Sequence, residues 1–523
     1  MIINRIKEYV TKDKERIATV FLSVFIIGLI THGFIFSNFF LSHDALNEFY
    51  LFGPVNYYDY SVVIHKVSLG RFFAPIYDIV FRGPVASPWL AGILSLLWIA
   101  LSVYFVCLLF DIRSKFEIGI ISAIFLTNLS LISEIGSFMN DLDSYAFALL
   151  LAVLSVYFWN KGKLTLIPSA VCLVLMLGIY QSMISVMITL VIFISIKKLL
   201  NNEEYKKVII DGMLAIGVII VGSLSYLVVV KTANVIMNTA LLDGYNSLQN
   251  LWNKQDVSKV GLLIETYTMF FRYIIEQPTI ITKSVSISLQ IIVLLSVLVS
   301  VILILLKTGI SKPNKLLIVV LILALPFGMN LSYFSNNGII HDLMKYAIWL
   351  VYFFLLLLVK HIVSLSNTKK SSLLYCFAVS LLFVIVWGNI KTANAAYTKK
   401  ELEYQQTLSL MTRVVERMET TEGYIPGETP VAFIGRLDFE KRDYFDDLYN
   451  INGQKYLSTI SSENYVACYF DYVLHRPLSL VNARIRDEYA EIDEVKEMGY
   501  FPDITCTKMI NGTLVVKMNP EYY

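Results

Sequence analysis

The segment "NKGKLTLIPSAVCLVLMLGIYQSMISVMITLVIFISIKK" (Asn160–Lys198) is a long apolar run with a basic cluster at each end. A helix needs about 20 apolar residues to cross the hydrocarbon core of a bilayer. Short basic segments of membrane proteins face the cytoplasm, so both clusters belong on one side. One long helix would separate them, whereas two helices that meet near Tyr180–Gln181 keep them together. The segment therefore predicts two short spans, Leu164–Ile179 and Ser182–Ile196.

The rest of the chain has the same apolar character. Its 523 residues are 56% hydrophobic and 16% charged, whereas soluble domains carry about one quarter charged residues. The net charge of +2 argues against nucleic acid as a partner. We predict a mostly α, polytopic helical membrane protein with about eleven transmembrane helices. The other predicted spans are Ile17–Phe36, Pro88–Phe110, Ile118–Ile132, Ser144–Trp159, Val208–Val230, Ser284–Leu306, Leu316–Phe334, Tyr346–Val363 and Leu373–Asn389.

Basic residues concentrate in the loops on one side of these spans. Residues 1–34 combine a basic flank with a long apolar run and lack a small-residue cleavage site. They are predicted to be an uncleaved signal anchor with a cytoplasmic N-terminus. The other predicted cytoplasmic loops are 111–117, 160–163, 197–207, 307–315 and 360–370. The opposite face then receives loops 41–87, 134–143, 180–181, 231–283 and 335–345 and all residues after Lys391.

The composition changes to that of a soluble domain near Lys399. Helical patterns cover Glu401–Met418 and surround Asn464–Leu474, and Pro430–Gly435 is typical of a strand. The segment Ile504–Met518 predicts a hairpin that turns at Asn511–Gly512. We therefore predict two domains: a transmembrane domain of residues 1–390 and a small extracytoplasmic α/β domain of residues 391–523.

The five cysteines give no sign of a metal site, because no CxxC motif or Cys/His pairing occurs. Cys468 and Cys506 share the C-terminal region. We expect both to be free, and a disulfide between them is the alternative.

Asp44 follows the first span within the segment "FFLSHDALNEFYLFGP" (Phe39–Pro54). Most carboxylates at a membrane surface are solvated, but aromatic and aliphatic residues surround this one. An ionised group in such a setting is unfavourable unless it is paired or functional. Its pKa would rise toward the range of a general base.

Further acidic and basic side chains collect in the predicted external loops. A carboxylate can deprotonate an acceptor hydroxyl, and a cation can hold a departing phosphate. Both together suit a transferase that uses a lipid-phosphate sugar. The candidate catalytic residues are Asp44 and Asp141. The candidate substrate-binding residues are His43, Glu48, Arg71, Arg82, Asp143, Tyr180, Gln181, His341 and Lys345.

Most candidates also have a structural explanation that the sequence leaves open. A loop residue can be solvated or can orient its neighbours, and a polar residue at a helix end can cap or anchor the helix. The alternatives are loop orientation for His43, solvation for Glu48, an ion pair with Asp78 for Arg82, a helix cap for Asp143, a membrane-interface position for Tyr180, and a helix anchor for His341 and Lys345.

Four motifs in this order, "SHDALNEFYLFGP" (42–54), "SLGRFF" (68–73), "NDLDSYA" (140–146) and "YQS" (180–182), resemble the GtrII-type glucosyltransferases of the GT-C superfamily. The resemblance covers essentially the whole chain. It implies transfer of a hexose, commonly glucose, from a polyprenyl-phosphate donor to a surface glycan such as O-antigen or a wall polymer. It also implies a multi-pass protein of the bacterial cytoplasmic membrane that acts on the extracytoplasmic face.

The resemblance assigns roles to individual positions. Asp44 matches the essential acid of the first external loop, Asp141 a second acidic position, and Arg71 a contact to phosphate or sugar. Tyr180–Gln181 match a polar tip between two short helices. Many members have two adjacent acids where this chain has His43–Asp44. No metal is assigned, although a divalent cation between Asp44 and Asp141 is a possible cofactor.

Two other classes of function compete with a transferase. A transporter or flippase of lipid-linked saccharides would need charges at mid-membrane depth and usually an internal repeat. The predicted spans are nearly free of charge, and no repeat is visible. A scaffold that displays the C-terminal domain would leave the charged loops without a role. The transferase is therefore the leading hypothesis.

Overall fold

The computed structural model describes residues 13–38, 44–51, 62–242, 258–306, 309–366, 368–437, 439–440, 443–454, 460 and 463–520. Helices dominate these ranges, and one small sheet lies near the C-terminus. The predicted fold class, a mostly α polytopic protein with a small C-terminal α/β unit, is confirmed.

In the described ranges, seventeen helices precede the sheet. Short 3₁₀ turns at Lys163–Thr165 and Gln181–Met183 and a longer 3₁₀ segment at Asp342–Trp349 lead into three of them. The helices are α1 (Lys14–Phe36), α2 (Asp44–Asn47), α3 (Val62–Ser68), α4 (Ala74–Tyr77), α5 (Pro88–Phe110), α6 (Lys115–Leu126), α7 (Leu129–Ser137), α8 (Leu142–Lys161), α9 (Leu166–Leu177), α10 (Ile184–Leu200), α11 (Tyr205–Ile236), α12 (Lys259–Ile275), α13 (Lys283–Leu306), α14 (Lys312–Met329), α15 (Leu331–Ser335), α16 (Leu350–Leu365) and α17 (Lys369–Glu419).

Within the described ranges, nine helices are long and apolar enough to cross a membrane. The pair α6 and α7, bent by 43°, passes the same test together, and Lys163–Leu177 is a shorter apolar helix. Each of the eleven predicted spans overlaps one of these units, but nine or ten units of the described ranges pass the test, because Lys163–Leu177 is too short. The apolar run Asn160–Lys198 is broken in two, as predicted, because the chain leaves the helix between Gly178 and Tyr180.

Helix α17 has 51 residues. At 1.5 Å per residue it is about 77 Å long, more than twice the roughly 30 Å of a hydrocarbon core. The predicted span Leu373–Asn389 and the predicted helix Glu401–Met418 are therefore parts of one helix. The predicted domain boundary at residue 390 falls inside it, so no break in secondary structure marks the division, which stays a prediction.

Buried hydrogen bonds of His32 join three of the helices. His32 of α1 is completely buried, and its ring nitrogens lie 2.6 Å from the Tyr397 hydroxyl and 2.8 Å from the Leu126 carbonyl. Because a buried polar group must be paired, these bonds fix the positions of α1, α6 and α17 relative to one another.

The C-terminal unit follows α17. Its sheet has the strand order β2-β1-β4-β3, with β1 parallel to β2 and β4 and with β3 and β4 forming the predicted hairpin. Cys468 and Cys506 are free, as expected. The elements are β1 (Pro430–Ile434), α18 (Glu463–Tyr472), β2 (Ser479–Leu480), α19 (Ala483–Ala490), α20 (Asp493–Glu497), β3 (Thr507–Ile510) and β4 (Thr513–Lys517), with a 3₁₀ segment at Asp443–Asn450.

Candidate active site

Backbone hydrogen bonds draw two loops together over the N-terminus of α8. Leu51 N donates to Pro84 O at 2.7 Å, so the two ends of the first loop meet. Phe73 N donates to Gly178 O at 2.8 Å, and in addition the side-chain amide of Gln181 (Nε2) donates to Leu69 O at 3.1 Å. The loop between α1 and α5 is therefore anchored on the tip between α9 and α10, as the predicted sidedness requires.

Gly70 sets the direction of the chain after α3. Its φ of 79° lies in the left-handed region that favours glycine. Gly70 N donates to Val67 O and Arg71 N donates to Lys66 O, both at 2.9 Å. This pair of bonds is the Schellman motif that ends many helices. The turn brings Arg71 back beside Lys66, and both cations reach Asp141.

Lys66 is the centre of the charged cluster. Its side chain is only 2% exposed, and its ammonium lies 2.5 Å from Asp141, 3.0 Å from Asp78 and 3.7 Å from Glu48. Burial opposes the charge on Lys66, but the three carboxylates outweigh burial and raise its pKa. Lys66 is therefore a fixed cation that holds three carboxylates from two loops together.

Arg82 organises the other side of the cluster. It ends a π-helical turn that starts at Asp78, and its guanidinium bonds Asp78 at 2.8 Å and Asp143 at 2.6 Å. It also donates to the Asn140 carbonyl. The pair of Arg82 with Asp78, an alternative left open by the sequence, is therefore formed. Asp143 is not the N-terminal cap residue of α8, because that position belongs to Asp141. The carboxylate of Asp143 instead accepts a hydrogen bond from the Tyr77 hydroxyl at 3.1 Å.

Arg71 lies at the edge of the cluster against two aromatic rings. It donates to the Tyr145 hydroxyl at 2.6 Å and lies 3.8 Å from Asp141. Its guanidinium is 5.5 Å from the ring centroid of Tyr145 and 5.6 Å from that of Tyr180, and these rings stack 4.1 Å apart. With a side chain that is 15% exposed, Arg71 is more accessible than Lys66 or Arg82.

Asp44 and Glu48 occupy the part of the cluster nearest the C-terminal unit. Asp44 accepts from the Tyr465 hydroxyl at 3.1 Å, and Glu48 accepts from the Asn140 amide at 2.8 Å. Burial raises the pKa of Asp44 and the charge of Asp141 adds to the effect, while Tyr465 and Arg71 oppose it. Burial likewise raises the pKa of Glu48, and Lys66 opposes it.

The charges of the cluster do not balance if every group is ionised. The cluster has five carboxylates and three cations, which leaves an excess of two negative charges. The carboxylates are Asp44, Glu48, Asp78, Asp141 and Asp143, and the cations are Lys66, Arg71 and Arg82. The first-loop acids, Asp44 and Glu48, have raised pKa values. Burial therefore favours the protonated form of both acids more than water does.

Glu48 should make the stability of the protein depend on pH. Its folded pKa is above the ordinary value of 4.5, so the stability from this group is complete below about 4.5 and is lost as the pH rises through the raised value, by up to about 1.4 kcal/mol per pH unit. Glu48→Gln, neutral at every pH, should flatten this decline. Thermal unfolding in detergent across that pH range measures it, and equal slopes for both proteins would contradict it.

The remaining candidates lie elsewhere or outside the described residues. His43 is not among the residues that the structure describes. Gln181 also donates to the Tyr226 hydroxyl at 3.0 Å, so it braces the tip of the two short helices. His341 contacts Asn452 at 2.6 Å, and Lys345 pairs with Asp342 at 2.7 Å and covers the ring of Tyr273. His341 and Lys345 therefore belong to a second polar group, beside the C-terminal unit.

Sequence reasoning missed Lys66. The signal was available, because Lys66 lies one helical turn after Val62 on the buried face of α3, and a lysine on such a face needs an ionic partner. Tyr465, the Asp44 partner, had no comparable signal, because it is about 420 residues away along the chain.

The acidic side chains of the cluster are candidate ligands for a divalent cation. In the part of the chain that the structure describes, no group of three or more His, Cys, Asp or Glu side chains is arranged to hold a metal ion. Lys66 lies between Asp78 and Asp141, where a bridging cation would bind. The alternative of a cation between Asp44 and Asp141 stays a prediction.

The fold and the cluster define a class: a polytopic helical membrane protein with a buried acid–base site at one end of its helices. A family model described as glucosyl transferase GtrII matches residues 33–339, more than half of the chain. The chain belongs to this family and is a glycosyltransferase. No curated protein and no solved structure matches the chain.

Proposed function

We propose that the enzyme transfers glucose from a polyprenyl-phosphate donor to a hydroxyl group of a cell-surface glycan, such as O-antigen or a wall polymer. Glucosyl transfer follows from the family. The observation that carries the rest is the position of Asp44 and Arg71 in one cluster, where the charge of Arg71 favours the ionised form of Asp44. A base for the acceptor and a cation for a phosphate are therefore close together.

Asp44 is the general base of this proposal. It takes the proton of the acceptor hydroxyl while the acceptor oxygen attacks the anomeric carbon of the donor sugar. The bond from that carbon to the phosphate oxygen breaks, and polyprenyl phosphate leaves with the bonding electrons. A direct displacement of this kind inverts the anomeric centre. The raised pKa of Asp44 suits the role, because a base works best when its pKa is near the working pH.

Arg71 holds the donor phosphate and the negative charge that develops on it. Its Nε is buried and has no hydrogen-bond partner among the described residues, so one donor remains for a phosphate oxygen. Asp141 is bound by Lys66 at 2.5 Å. It therefore assists by fixing the two cations rather than by taking a proton.

We further propose that the site faces the outside of a bacterial cytoplasmic membrane. The C-terminal unit contacts Asp44, so both lie on the same side of the protein. At the other end of the helices, Lys197 donates to the Leu109 carbonyl and Lys360 pairs with Glu117. The positive-inside rule places that basic end, with the N-terminus, in the cytoplasm.

Purified protein in liposomes tests the proposal directly. Radiolabelled polyprenyl-phosphate glucose is supplied together with a surface glycan, and label in the glycan supports the transferase. Label that crosses the bilayer without entering the glycan would overturn the proposal and support a flippase.

Arg71→Gln should weaken use of the donor. A hydrogen bond to a charged group contributes about 1.5–3 kcal/mol, so we expect kcat/KM for the donor to fall by about 10- to 100-fold. Arg272→Gln is the matched control, because Arg272 lies on α12 with a 61% exposed side chain and pairs with Glu276. Equal donor kinetics for both variants would exclude a phosphate contact by Arg71.

A further inference from the structure

One face of α18 lies on the first loop of the membrane part. Tyr465, Cys468 and Tyr472 recur at helical spacing on this face. The Tyr465 hydroxyl donates to Asp44 Oδ1 at 3.1 Å, and Cys468 Sγ lies 3.3 Å from Asn47 Oδ1. The ring of Tyr472 lies 5.3 Å from that of Phe49. Three contacts thus join the C-terminal unit to the short helix that carries Asp44 and to the residues directly after it.

We propose that Tyr465 is a positioning residue for Asp44, so that the C-terminal unit completes the active site. This inference rests on the proposed role of Asp44 as the base. The family match ends at residue 339, and Tyr465 therefore contributes to the site from outside the matched region.

The geometry gives Tyr465 a defined task. A carboxylate on a short helix can rotate, and a hydrogen bond to Oδ1 fixes its plane. Among the described residues, Tyr465 is the hydrogen-bond partner of the Asp44 carboxylate, which leaves Oδ2 for the acceptor hydroxyl. The held oxygen orients the carboxylate, and the other oxygen takes the proton.

The same bond tunes the proton affinity of Asp44. The described groups that affect its charge are Tyr465, Asp141, Arg71 and the neighbouring Glu48. Burial, Asp141 and Glu48 favour the protonated acid, whereas Tyr465 and Arg71 favour the carboxylate. Removing the Tyr465 hydroxyl should therefore raise the pKa of the base.

Tyr465→Phe tests the inference through the pH dependence of transfer. The acid limb of kcat/KM reports the pKa of the base in the free enzyme. We expect this limb to move toward higher pH by about one unit, a tenfold change in proton affinity. Tyr472→Phe is the matched control, because it removes a hydroxyl from the same helix face but keeps the ring on Phe49. Its acid limb should stay at the wild-type position.

Tyr465→Gln provides a second variant, because its amide N–H can also donate to the carboxylate. Its acid limb should lie closer to wild type than that of Tyr465→Phe. A Tyr465→Phe protein that melts like wild type and keeps the wild-type acid limb would overturn the inference. So would equal shifts for Tyr465→Phe and Tyr472→Phe. Full activity of Asp44→Asn would instead reject the proposed function, so the two failures are distinguishable.

Discussion

Asp44→Asn should reduce glucosyl transfer by at least about 100-fold while the protein still folds. General base catalysis contributes about 10²- to 10⁴-fold, and an asparagine amide cannot accept the acceptor proton. The substitution keeps the size of the side chain and an oxygen that can accept from Tyr465. The initial rate of label transfer from polyprenyl-phosphate glucose in liposomes measures the loss.

Asp211→Asn is the control for this experiment. Asp211 pairs with Lys198 at 2.7 Å on the predicted cytoplasmic side, and its side chain is 25% exposed. The same chemical change there should leave the rate of transfer near that of wild type. An Asp44→Asn protein that is obtained in normal yield and transfers at the wild-type rate would refute the role of Asp44 as the base.

Lys66→Met should have the largest effect on stability. It removes the cation shared by Asp78, Asp141 and Glu48 and leaves these carboxylates buried. Breaking a buried ion pair in this way costs about 3–5 kcal/mol. We expect a clear fall in the melting temperature in detergent and the loss of transfer, because Arg71 and Asp44 share the same cluster.

Lys198→Met is the matched control, since Lys198 forms a pair with Asp211 in which the side chains are 18% and 25% exposed. Partly exposed pairs contribute about 1 kcal/mol or less, so its effect should be much smaller. Adding Asp78→Asn to Lys66→Met should recover part of the lost stability, because it lowers the excess of negative charge in the cluster by one. Equal melting temperatures for Lys66→Met and Lys198→Met would contradict the central role of Lys66.

The membrane spans could be predicted because they depend on local composition. The break at Gly178–Tyr180 followed from two basic clusters alone, and α17 was found as two separate patterns. The continuity of α17 through residue 390 could not be predicted, because a polar stretch of sequence can be either part of a long helix or a linker. Local patterns thus predict where helices lie more reliably than where they end.

The cluster was only partly predictable. Asp44, Arg71 and Asp141 could be predicted because each stands in an apolar or motif context at a predicted loop. The spacing of Lys66 one helical turn after Val62 indicates its burial only weakly, because burial depends on how α3 packs, and no local pattern indicates that Tyr465 lies on a docking surface. Partners that are distant along the chain are invisible to arguments from spacing.

The continuous helix α17 has a consequence for where the enzyme can work. A continuous helix of 51 residues that joins an apolar span to the C-terminal unit allows little hinge motion between the two. If that unit holds the acceptor, sugar is added at a constant height above the lipid. The enzyme would then modify the glycan units nearest the bilayer and not those at the distal end of a long chain.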